Sequence, residues 1–219
     1  MAVTVAETAA LPAAAAGECQ LRPDLALIAE MVVPGSRVLD IGCGDGALLA
    51  HLARAKSVDG RGMELSQAGV NACVRSGLSV IQGDADNDLE AYPTGAFDYV
   101  ILSQTLQATR QPRQVLESLA RIGRHAIVSV PNFGYWRVRL ALLLTGRMPR
   151  SPLLSFTWWD TPNIHLCTIR DFTELARTLG VSIEEARMLD PMGKPYGFSA
   201  GHPTANWLAA QGVFLLKRV

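Results

Sequence analysis

Apolar and polar positions along this chain follow two periods in alternation. Short apolar runs closed by glycine, proline or an acid predict strands over 36–41, 60–65, 78–82, 97–103, 125–130, 181–188 and 206–216. Between them, apolar residues recur at three- and four-residue spacing. That spacing predicts helices over 23–30, 47–54, 66–75 and 112–122, a basic, apolar helix ending near Leu144, and a helix over 169–179. Pro23 stands at a first helical position with Asp24 beside it, and Leu25, Ile28 and Val32 share one face. Pro34-Gly35, Gly77 and Gly180 supply the stops. A helix after most of the first five strands predicts an α/β fold: a Rossmann-like, doubly wound, mostly parallel seven-stranded sheet whose last two strands form an antiparallel edge.

Composition narrows the classes. The chain has 219 residues, 49% hydrophobic and 18% charged, which predicts a single domain over 21–219 with an ample core. Residues 1–20 are alanine-rich, without a basic start or a long apolar run, and predict a disordered tail rather than a signal peptide. Twenty basic and twenty acidic residues cancel, so charge gives no argument for a nucleic-acid or anionic-membrane partner. The longest later apolar stretch, 138–144, contains Arg139 and is too short to span a bilayer. Cys19, Cys43, Cys73 and Cys167 are widely spaced, so neither a metal site nor a disulfide framework is expected, and a reducing cytoplasm fits.

The richest chemistry lies in Asp40-Ile41-Gly42-Cys43-Gly44-Asp45-Gly46, a strand end running through three alternating glycines into a helix. Glycine permits positive φ and close approach of a ligand to the backbone, and the helix start offers free N–H groups. Gly42, Gly44 and Ala47 satisfy the dinucleotide spacing, but Asp40 is a poor neighbour for a pyrophosphate and a good one for a cation. The D-x-G-x-G-x-G pattern resembles motif I of the class I S-adenosylmethionine (SAM) methyltransferases, where the loop packs against the methionine part of the cofactor.

Glu64 ends the second strand 18 residues after Gly46, the spacing at which a βαβ unit presents a carboxylate to a ribose hydroxyl pair, and Leu65 follows it. Asp84 and Ala85 end the third strand; Asp84 resembles the methyltransferase position facing the adenine amino group, with Asp86 as the alternative. Ser103 closes the fourth strand, at the same crevice as the first. The opening Phe97-Asp98-Tyr99-Val100 resembles methyltransferase motif IV. Just beyond this strand, many small-molecule methyltransferases carry Glu-His; this chain has Gln107-Ala108. The segment after the fifth strand concentrates Trp136, Trp158 and Trp159, an aromatic insert of the kind found at binding surfaces or in lids. The acid/base or acceptor-side candidates are His165, Tyr135 and Asn132.

Four runs (21–25, 101–107, 131–139 and 160–172) resemble the bacterial methionine-biosynthesis MetW family, and the resemblance extends from about residue 21 to near 190. It implies the class I methyltransferase type of fold and a role in methionine synthesis beside a homoserine O-acyltransferase, the partner called MetX. It brings no methylated substrate. Three functions compete: a SAM-binding accessory protein for that acyltransferase, an authentic SAM-dependent methyltransferase, and a nicotinamide-dependent oxidoreductase, which Asp40 and the lack of a proton-relay pair disfavour. S-adenosyl-L-methionine or S-adenosyl-L-homocysteine is the expected cofactor. Self-association is left open.

Overall fold

Strands β1 (Arg37–Ile41), β2 (Asp59–Glu64), β3 (Val80–Gln82), β4 (Phe97–Ser103), β5 (Gly123–Pro131), β6 (Val181–Leu189) and β7 (Gln211–Arg218) form one sheet in the order β3-β2-β1-β4-β5-β7-β6. Strands β1 to β5 pair in parallel, and β7 runs antiparallel to both β5 and β6. The computed structural model describes residues 21–150 and 156–218, so the expected tail over 1–20 lies outside the described residues.

The helices are α1 (Pro23–Met31), α2 (Ala47–Lys56), α3 (Gln67–Arg75), α4 (Pro112–Ile122), α5 (Trp136–Thr145), α6 (Ile169–Thr178) and the single turn α7 (Ala205–Leu208). Local chemistry sets their ends. Ser66 Oγ accepts the Gly69 N–H at 3.1 Å. Thr168 and Asp171 form a capping box at the start of α6. Pro112 opens α4 at a position where its missing N–H costs nothing.

Alternate residues of the central strands face opposite layers. Leu39, Ile41, Val100, Leu102, Val128 and Phe214 pack with α4 and α6, while Val38, Ile101, Ile127 and Val213 pack with α1 and α2. These strands are therefore apolar on both faces, as in a sheet covered on both sides. Phe172 of α6 meets Phe214 of β7 with ring centroids 4.3 Å apart. Burying each such side chain contributes about 1.5–3 kcal/mol relative to exposure.

One element differs from the expectation. A strand over 206–216 is predicted, but Ala205–Leu208 is helical and β7 begins at Gln211. The apolar run is too short for periodicity to separate a buried helical turn from a strand. Asn132 decides it here: its amide nitrogen donates to the carbonyls of Asn206 and Ala209, at 3.1 and 2.6 Å, and ties the turn to the end of β5.

The sheet order reverses between β1 and β4. Ligands of open α/β sheets bind at such a switch point, beyond the carboxyl ends of the strands.

Candidate cofactor site

The glycine loop follows β1 at that switch point. Gly42, Gly44 and Gly46 all have positive φ, at 69°, 58° and 81°, the region in which glycine is favoured. Their surroundings differ. A Cβ on Gly44 would meet nothing within 4 Å, whereas one on Gly46 would lie 2.4 Å from Leu78 Cδ1 and 2.9 Å from Cys73 Sγ. Gly44 therefore faces open space, and Gly46 is needed for packing beneath α2.

Glu64 reaches back from the end of β2 to this loop. One carboxylate oxygen accepts the Gly44 N–H at 2.9 Å and the other the Ser66 N–H at 2.9 Å. Both carboxylate oxygens thus hold backbone, and the remaining lone pairs leave acceptor capacity for a neighbouring hydroxyl pair.

Asp40 is buried and has no hydrogen-bond donor to its carboxylate among the described residues. Burial pushes its pKa up to about 7; the Arg22 guanidinium pulls it down and the Glu64 carboxylate adds to the rise. A cation placed beside Asp40 would reverse that shift.

Two cavities of about 490 Å³ each flank the loop, and Gly42 and Thr105 line both. One is walled by Glu64, Leu65, Asp84, Ala85 and Asp86, which brings the ends of β2 and β3 together. The other is walled by Arg22, Asp24, Ser103, Gln104, Gln107 and Gln211. Neighbouring cavities of this size suit an elongated small molecule laid across the glycine loop.

The two acids after β3 also shape their own loop. Asp84 accepts from the Asp86 N–H at 2.9 Å and the Asn87 amide at 2.7 Å; Asp86 accepts from the Arg110 and Gln111 N–H groups at 2.8 and 2.9 Å. Ser103 joins a polar cluster: its hydroxyl lies 3.2 Å from Asp24 Oδ2 and 3.2 Å from Ser129 Oγ, and Arg22 pairs with Asp24 at 2.9 Å. Gln104 has a φ of 49°, held by its N–H bond to Ser129. Such a conformation costs a non-glycine residue about 1–3 kcal/mol and persists because the surrounding bonds impose it.

Other expected site residues lie elsewhere. Cys43 packs in a small core with Cys73, their sulfurs 3.9 Å apart, and lines neither cavity. His165, Tyr135 and Asn132 also line neither, and of the residues expected around the loop Asp40, Gly44 and Gly46 are not in the cavity walls themselves. His165 is exposed and Tyr135 is buried with Val138 and Ala210. Asn132 is fully engaged: besides its two donated bonds, its oxygen accepts from Gly134 at 2.8 Å and Ile169 at 3.4 Å. It fastens β5 to α6 and α7.

Sequence reasoning passed over Arg22, Asp24, Gln104 and Gln211 as cavity residues. The buried amides carry an unmet need: Gln107 Oε1 and Gln211 Nε2 have no hydrogen-bond partner among the described residues.

A family model described as methionine biosynthesis protein MetW matches residues 22–216. The chain belongs to that family. A MetW-family relative from Rhodopirellula baltica, a bifunctional methionine biosynthesis protein MetXA/MetW, is 38% identical over 174 residues, covering 75% of this chain and 28% of the relative. A fatty-acid O-methyltransferase from Mycolicibacterium smegmatis is 40% identical over 78 residues, covering 33% of this chain and 28% of that protein. The chain thus spans under a third of each of these two relatives.

Among solved structures, an S-adenosylmethionine-dependent methyltransferase from Mesorhizobium loti aligns with a TM-score of 0.65 at 16% identity, over 92% of this chain and all of that one. The 4+2 cyclase SpnF aligns with a TM-score of 0.62 at 19% identity, over 89% and 80%. The fold is that of the SAM-dependent methyltransferases. One such fold carries a cyclase, so the fold by itself does not specify methyl transfer.

Proposed function

We propose that this MetW-family chain is a SAM-binding accessory protein that acts with a homoserine O-acyltransferase in making O-acylhomoserine, in the cytoplasm. The observation that carries the reading is the relative in which a MetW portion and a MetXA portion share one chain. Joined domains in one species are commonly separate, associating partners in another.

The residues present fit the cofactor. Glu64 suits the ribose hydroxyls; Leu65, Ala85 and Asp84 wall the adenine side; Gly42 and Ser103 border the methionine side, and Gly44 stands beside them with open space before its α-carbon. Asp40, buried and without a hydrogen-bond donor among the described residues, would ionise beside a cationic ligand and balance its charge. When bound, SAM supplies an electrophilic methyl group and, equally, a signal of the methionine pathway's end product.

Among the described residues no histidine lines either cavity. Where a base is expected after β4 stands Gln107, whose amide donates to Gln104 O at 2.6 Å and to Asn163 Oδ1 at 3.2 Å. The reading is tested by assaying homoserine acylation by the organism's acyltransferase with and without this protein. A higher rate or a longer-lived acyltransferase supports it; no change and no association reject it.

A second reading is an authentic methyltransferase, favoured by the open second cavity beside Gly42. In-line displacement at a sulfonium methyl depends mainly on positioning and needs no base for a good nucleophile. Formation of S-adenosylhomocysteine on incubation with small-molecule extracts would establish it.

A further inference from the structure

Ten of the sixteen exposed large hydrophobic side chains among the described residues fall within 140–166. Trp158 and Trp159 are 72% and 71% exposed, and Leu143 and Leu144 are 80% and 73% exposed. The two indoles meet edge to face, with centroids 5.6 Å apart, and both stand in the wall of a cleft of about 650 Å³ with Phe133, Met148, Phe156 and Leu166. Only Val138 of α5 is buried. Arg137 and Arg139 stand at its start, and Leu140, Leu142, Leu143 and Leu144 leave its later turns apolar and exposed. Contiguous exposed apolar surface with polar groups at its edge is characteristic of a protein interface.

We infer that α5 and the segment over 156–166 form the docking face for the acyltransferase, a deepening that rests on the function proposed above. Three features favour that occupant. The relative from Rhodopirellula baltica is a bifunctional MetXA/MetW protein, which joins the two in one chain. The face is rich in tryptophan and arginine and poor in acids, the composition of interface hot spots. Arg137 and Arg147 have no carboxylate within ion-pair distance among the described residues, which suits a partner surface that is apolar at its centre and acidic at its rim.

The same segment reaches the candidate cofactor site. Phe156 and Asn163 line both the aromatic cleft and the second cavity. Asn163 accepts from Gln107, the His165 N–H donates to the Gln107 carbonyl at 3.0 Å, and Ile164 lines the Glu64 cavity. A partner seated on Trp158 and Trp159 would therefore bear on the walls of both cavities. Coupling of this kind is reciprocal: whatever SAM does to partner affinity, the partner does to SAM affinity.

The test measures binding of the purified acyltransferase to the intact protein and to two variants, Trp158→Ala combined with Trp159→Ala, and Leu143→Glu. The altered side chains are exposed, so unfolding temperature and SAM binding in isolation should stay at the wild-type values. Each variant should weaken the complex by roughly 30-fold or more, the loss expected for hot-spot residues. Wild-type affinity in both variants, with the wild-type complex formed, overturns the docking face and leaves the accessory function standing. Failure of the wild-type protein to bind the acyltransferase overturns both. Self-association of the wild type that both variants abolish would assign the face to a second copy. Binding to phosphatidylglycerol vesicles that both variants abolish would assign it to a lipid surface. Either result overturns the inference.

Discussion

The Glu64 carboxylate accepts the Gly44 N–H at 2.9 Å, joining the end of β2 to the middle of the glycine loop. One side chain thereby shapes the loop and presents negative charge to the first cavity. Glu64→Gln keeps the size but removes the charge and turns one acceptor into a donor facing an N–H. A charged hydrogen bond contributes about 1.5–3 kcal/mol, so SAM affinity should fall by roughly 10- to 100-fold. Titration calorimetry on the folded variant reads this, and thermal unfolding should show a loss of a few degrees.

Asp40 makes both stability and binding depend on pH. Its carboxyl has a pKa of about 7 in the folded chain against an ordinary value of 3.8. The native state then keeps a proton that the unfolded chain releases, so stability falls as pH rises from about 4 to about 7, and the penalty is complete above that. Asp40→Asn should be more stable than wild type at pH 8, by up to about 4 kcal/mol, and equal to it at pH 3. Denaturant melts at the two pH values check the sign. The same variant should bind SAM more weakly. At pH 6, SAM binding to the wild type should release up to one proton, seen as calorimetric heats that depend on the buffer's ionisation enthalpy, and at pH 9 none.

Asn132 is a fastening and not a reacting group. All four of its bonds go to backbone of Gly134, Ile169, Asn206 and Ala209. Asn132→Ala strands those buried groups and should cost about 3 kcal/mol or more of stability, measured by denaturant unfolding. A stable variant that lost only function would restore it as a catalytic candidate.

Gln211 gives a prediction of the opposite sign. Its amide nitrogen is buried without an acceptor among the described residues. Gln211→Met removes the unmet group at similar volume and should leave the unfolding temperature unchanged or raise it. If the second cavity takes a polar ligand, the same variant should lose it, which is the usual trade of stability against function.

Much of this architecture is legible in the sequence because its signals are local. Alternating apolar runs, the Ser66 cap and the proline at the start of α4 each act within a few residues. The position of Glu64 beside the glycine loop is legible for the same reason, since a βαβ unit converts sequence spacing into position. The turn Ala205–Leu208 was not, since Asn132, more than seventy residues away in the chain, fixes it. Cys43 looked like part of the loop's ligand face, but its side chain points to Cys73 on α3. Gln211 had no local signal at all; it reaches the second cavity only because β7 inserts between β5 and β6.

The most direct test of the site is titration of SAM into the wild-type protein and into Gly44→Val. Gly44 faces open space, so valine there costs only backbone strain, about 1–3 kcal/mol, and the variant should fold. The account predicts saturable one-to-one binding by the wild type and none by the folded variant. Absence of wild-type binding at millimolar SAM, or undiminished binding by Gly44→Val, would contradict it.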